Sequence, residues 1–159
     1  MTTKNTDLVA NFEASPQVAN NAAELAGVLR TAHGSVELAA GDSTDNDIVM
    51  LAPIPSNAAV PTLFIGSDTF GGSCTFNVGI YTSAGVVKDE DVFATSVADA
   101  AAMTDVRYEV ADLNTGSQKL WELAGDSSDP GGYYYIAITF DATGGTAGTL
   151  NWNISYVVD

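Results

Sequence analysis

Apolar and polar residues alternate along much of this chain, and where they alternate they predict strands. Thr149-Leu-Asn-Trp-Asn-Ile-Ser-Tyr-Val157 puts Leu150, Trp152, Ile154 and Tyr156 on one face and polar side chains on the other, the period of two of a half-buried strand. Ser35-Val-Glu-Leu38 repeats the pattern, and the run from Cys74 to Tyr81 holds Cys74, Phe76 and Val78 in phase. Asp47-Ile-Val-Met-Leu-Ala52 is continuously apolar, as in a sandwich core. Pro53-Ile-Pro55 should end it, because neither proline can donate to a ladder. Further strands are expected at Thr62 to Ile65, at Val86-Val87 after a Ser83-Ala-Gly85 turn, from Lys119 to Ala124 and from Tyr133 to Phe140. Asp141 to Gly148 reads as a hairpin loop joining the last two strands. About eight strands with short turns predict a mainly β fold, an antiparallel β sandwich of jelly-roll-like form.

Two stretches depart from that period. Met103, Val106, Val110 and Leu113 recur at helical spacing, and Ser96 stands where a cap would, so one short helix is expected over residues 97–112. Residues 1–27 show no sustained period and read as an N-terminal arm ahead of a sandwich domain over 28–159. A helical turn near Ala22 to Leu25, capped by Asn20 or Asn21, fits its middle. Leu8, Val9, Phe12 and Val18 are apolar anchors that a mere tail would not need, and they are the candidate assembly contacts. Trp121 and Trp152 fall in phase with aliphatic neighbours and are expected in the core.

Glu37-Leu-Ala-Ala-Gly-Asp-Ser-Thr-Asp45 and Glu122-Leu-Ala-Gly-Asp-Ser-Ser-Asp129 resemble each other, and each reads as an acidic turn. Asp42, Asp45, Asp47, Asp126 and Asp129 raise the question of calcium, but the spacing of a calcium-binding helix-loop-helix is missing. Turns closed by their own Asp side chains are expected instead, with no metal and no cofactor.

Charge narrows the partners. Twenty carboxylates against five cations give a net charge of −15, which repels phosphate and leaves no basic stripe to release counterions. Nucleic acid and anionic membrane are therefore not expected as partners. Cys74 is the one cysteine, expected to be a small buried hydrophobe rather than a reactive thiol. No secretion signal or long apolar span stands out, so synthesis in a cytoplasm is expected. His33 is the one imidazole and no nucleophile motif surrounds it, so the chain is expected not to be an enzyme and no catalytic residue is assigned.

Three segments carry a resemblance: Leu51-Ala-Pro-Ile-Pro-Ser-Asn-Ala58, Val78-Gly-Ile-Tyr-Thr-Ser-Ala-Gly-Val-Val-Lys-Asp-Glu-Asp91 and Asp126-Ser-Ser-Asp-Pro-Gly-Gly-Tyr-Tyr-Tyr-Ile-Ala137. Together they resemble virion structural proteins of tailed bacteriophages, most closely small capsid decoration (cement) proteins. That resemblance implies a β-rich module, often a homotrimer, which binds the major capsid protein and braces the outside of the shell. It brings no catalytic residues. The competing expectation is a carbohydrate-binding or adhesion module, with or without the help of calcium, for which Trp121, Trp152 and the Tyr133-Tyr-Tyr135 run would supply the aromatic surface.

Overall fold

The described residues lay down eight strands: β1 (Leu29–Leu38), β2 (Ile48–Pro55), β3 (Ala58–Ser67), β4 (Thr75–Tyr81), β5 (Val87–Ala98), β6 (Thr104–Asp105), β7 (Tyr133–Ala142) and β8 (Gly148–Val158). In this computed structural model residues 5–99, 102–108 and 113–158 are described. The strands form two four-stranded sheets, ordered β1-β8-β3-β6 and β2-β7-β4-β5, and every pair is antiparallel. Only β4 and β5 are consecutive in one sheet; every other connection crosses to the opposite sheet. This is the strand order of a jelly roll, so the expected class holds.

The core lies between the sheets. Leu63, Leu150 and Ile154 from one meet Ile54, Val78, Ile80, Ile136, Ile138 and Phe140 from the other, all fully buried. Phe140 contacts the rings of Phe70 and Phe76 edge-on, at centroid distances of 5.6 and 6.0 Å. Cys74 is buried beside them, and burial pushes its thiol pKa up. Across the sheet from β7, β5 presses against β4 so closely that a Cβ on Gly79 would lie 2.1 Å from the Asp89 carbonyl oxygen. Nothing larger than glycine fits there.

Several expectations are corrected. The helix over 97–112 is not formed in its described part: β5 continues to Ala98, and Thr104-Asp105 pairs with Phe64 and Ile65. Residues 100, 101 and 109–112 of that stretch lie outside the described residues. Polar anchoring overrides the helical spacing. The Asp105 carboxylate accepts the Leu63 and Arg107 amides, and Ser96, with φ 50°, gives its amide to Asn77 and its hydroxyl to Asp141. Arg107 is wholly buried: Nε donates to the Val60 carbonyl at 2.8 Å, and the remaining guanidinium nitrogens reach the Thr115 hydroxyl and carbonyl.

The strand expected from Lys119 to Ala124 is instead a bridge at Lys119 followed by a one-turn helix, α2 (Leu120–Leu123), because the Glu122 carboxylate caps the Lys119 amide at 2.8 Å. The prolines do not end β2 at Ala52. Pro53 and Pro55 stay in it, since β2 is a sheet edge where a missing donor costs no ladder bond. Asp141 to Gly148 is not a hairpin loop either, since it links strands of different sheets. Both tryptophans are half-buried rather than fully enclosed. Trp121 rides on α2, and Trp152 lies over Gly34, whose Cβ would come within 2.7 Å of the indole.

Candidate assembly surface

Strand register sorts the connections into two ends. Leu29 pairs with Val157 and Ala58 with Val158, so the arm, the β2–β3 turn, the β4–β5 turn and the segment entering β7 gather at one end. The β1–β2, β3–β4 and β7–β8 loops lie at the other.

The arm folds as a small unit. A helix not foreseen in the sequence, α1 (Asp7–Glu13), follows Thr6, and two hydrogen bonds of Asn20 tie it to the return segment: Asn11 Nδ2 donates to Asn20 Oδ1 at 2.9 Å, and Asn20 Nδ2 to the Leu8 carbonyl at 3.2 Å. Asn21 Oδ1 accepts the Ala23 amide, so the turn near Ala22 has its expected Asn cap but does not grow into a helix. Of the four candidate contacts, Leu8 is half-buried, while Val9, Phe12 and Val18 are exposed, Phe12 by 65%. Phe12 and Val18 line one groove of about 410 Å³ together with Leu25; Leu8 and Val9 do not. Leu25, Val28 and Leu29 extend the exposed apolar surface. Sequence reasoning passed over these three because they sit where the arm runs into the first strand.

The three resembling segments, far apart in sequence, meet at this same end. Pro55 pairs with Tyr133 and Tyr81 with Tyr135, which sets all three side by side. Ser56 Oγ donates to Asp129 at 2.6 Å, and its amide donates to the Gly132 carbonyl. Lys88 Nζ donates to Asp126 Oδ1 at 2.8 Å, and the Tyr134 hydroxyl donates to the other oxygen of that carboxylate. Tyr133 projects into solvent beyond them. The acidic turns thus spend their carboxylates on internal bonds, as do Asp42, on the Ala39 amide, and Asp47, on Thr44.

These bonds set the electrostatics. Asp126 is held below the usual carboxylate range by its hydrogen bonds to Lys88 and Tyr134, and Asp129 by those to Ser56 and the Gly131 amide. Burial, with the neighbouring Asp126 carboxylate, pushes the Tyr134 phenol up to about 12. The stability Asp126 and Asp129 give is complete above their unfolded pKa near 4 and is lost as pH falls through their lower folded values. Tyr134 acts at the other extreme: its share is complete below about pH 10 and lost as pH rises through its raised folded value. Asp126→Asn should therefore lower Tm at pH 7, and the gap from the parent should close as the pH drops below 4. Melting curves of both chains from pH 7 to 2.5 check this.

No protein-family model matches the sequence, and no curated protein matches it. Solved structures similar to it include two phage capsids. One is a chain of the cyanophage Pam1 capsid asymmetric unit, at 15% identity over 84% of this chain and 86% of that one, with a TM-score of 0.46. The other is a chain of the acid-stable capsid of Helicobacter pylori bacteriophage KHP30, at 12% identity over 82% and 94%, with a TM-score of 0.38. Both neighbours are phage capsid chains.

Proposed function

We propose that this chain is a structural protein of a tailed-phage particle that decorates the outer surface of the capsid shell. The observation that supports it is convergence: three separate segments that resemble decoration proteins, and an arm with exposed apolar side chains, share one end of the sandwich. That end is the surface offered to the major capsid protein, whether single copies dock or the homotrimer implied by the resemblance. The net charge of −15 suits an exterior site, because packaged DNA would repel it. The chain works through contacts rather than catalysis, and its sole imidazole, His33, stands exposed in mid-strand opposite Asn153.

The test is sedimentation of purified chain with heads that lack it. The intact chain is expected to bind; a chain without residues 1–27 is expected to keep its folded β spectrum but lose most of the bound fraction. Intact chain that fails to bind heads rejects decoration, and a truncation that binds unchanged rejects the arm as the contact. A shallow groove on the outer face of β1 and β8, lined by His33, Ser35, Asn151 and Asn153, favours the second reading, a carbohydrate-binding module, since such amides and hydroxyls suit a sugar.

A further inference from the structure

Three of the four sheet edges carry a device that discourages pairing. β2 has Pro53, Pro55 and a register shift between Met50 and Ala52. β5 shifts register against β4 in three places and carries Asp89, Glu90 and Asp91. β6 is two residues long. Such features are how natural sheets avoid joining other chains.

The edge at β1 has none of them. Its ten residues pair with β8 in unbroken register, without proline, and its two opposite charges, Arg30 and Glu37, stand near opposite ends. The sandwich is also unfinished along it. Inward-facing Ala32, Gly34 and Val36 are only half-buried, whereas Leu150 and Ile154 one strand further in are completely enclosed, and Trp152 is left half-open beside Gly34.

We propose that β1 is a pairing edge and that its occupant is β1 of a second copy, antiparallel about a two-fold axis, so that two four-stranded sheets become one of eight. Charge argues for this occupant. The rows beside the edge are uncharged on the outer face, Ser35 and His33 on β1 with Asn151 and Asn153 on β8, so two strongly acidic molecules can meet here. Glu37 is the exception, and it already accepts the Thr149 hydroxyl at 2.7 Å. A preformed strand loses little chain entropy on pairing, and two-fold symmetry covers both edges in one contact.

The two-fold axis stands perpendicular to the sheet, so inward residues pair only with inward ones. Centred on Gly34, it sets Ala32 against Val36 of the second copy, His33 against Ser35 and Thr31 against Glu37. No like charges oppose each other.

Sedimentation velocity of the full chain over the micromolar range tests the proposal, with hydrogen exchange of the β1 amides. A concentration-dependent dimer is expected, with protection appearing at the β1 amides that point away from β8. His33→Lys combined with Ser35→Lys brings cations face to face and should abolish the dimer while leaving Tm at low concentration unchanged. Thr31→Lys, which meets Glu37, should preserve it. A parent chain that stays monomeric, forms a trimer, or leaves the outward-pointing β1 amides unprotected overturns the proposal. So does a dimer that survives the double substitution. Should the double variant not fold, the exchange pattern of the parent chain decides. None of these measurements involves phage heads, so they stand apart from the test of decoration.

Discussion

Phe140→Ala is expected to destabilise the sandwich by about 3–5 kcal/mol, the range for emptying a buried aromatic site. Phe140 is fully buried toward the end of the core that carries the β3–β4 and β7–β8 loops, with Phe70 and Phe76 edge-on to its ring. Both partners lose contact at once, and each such ring pair adds about 0.5–1.5 kcal/mol beyond the area it buries. Phe70 also supports the β7–β8 loop, because its carbonyl accepts the amides of Gly145 and Thr146 at 2.7 Å. The cavity therefore opens where the loop is anchored, and little is free to collapse into it. At roughly 2–4 °C per kcal/mol for a domain of this size, Tm should fall by about 10 °C. Urea unfolding checks it: the midpoint should drop while the slope stays constant. Trp152→Ala, at a half-open site, should cost distinctly less.

Arg107→Ala should rank beside it, at about 3–5 kcal/mol, for a different reason. The guanidinium is wholly buried, donates to Val60 and Thr115, and lies 5.0 Å from the Phe93 ring centroid. It clamps the segment after β6 to β3. Removing it leaves a cavity and strips enclosed oxygens of their donor, which costs more than the bonds themselves contribute. Arg107→Met separates the two losses by restoring volume without hydrogen bonds. It should recover only part of the stability, and Arg107→Lys should also fall short, since an ammonium cannot span the same fork of acceptors. Equal midpoints for the Met variant and the parent would show that the side chain acts by packing alone.

What could be read in advance follows from the kind of force involved. β8, β4 and β7 were legible because burial on a pleated sheet writes a period of two directly into Leu150, Ile154, Phe76, Ile136 and Phe140. The Asp turns were legible for a similar local reason, since Asp42 and Asp47 bond amides three residues away. The stretch after β5 was not. Its apolar residues happen to fall at helical spacing, while its course is set by Asp105 and Arg107, polar groups bonded to β3 far off in sequence. Hydropathy is blind to such anchors. The same limit hid the meeting of Ser56 with Asp129 and of Lys88 with Asp126, which exists only because β2 and β4 both flank β7. The arm helix left a fainter trace, Thr6 ahead of Asp7 with Leu8 and Phe12 four apart, too short for periodicity to register.

The place of β8 between β1 and β3 has a consequence for how the molecule is made. It is the last of the eight strands to leave the ribosome, yet it holds an interior place in its sheet and bonds to both β1 and β3. Until it emerges, β1 and β3 have no strand between them, and the core lacks Leu150 and Ile154. A nascent chain of this topology cannot finish its fold piecemeal: contacts between its earliest and latest strands must close last, which slows folding and lengthens the time its edges stay exposed. Translation stalled before Gly148 would release a chain with an incomplete sheet and every reason to aggregate.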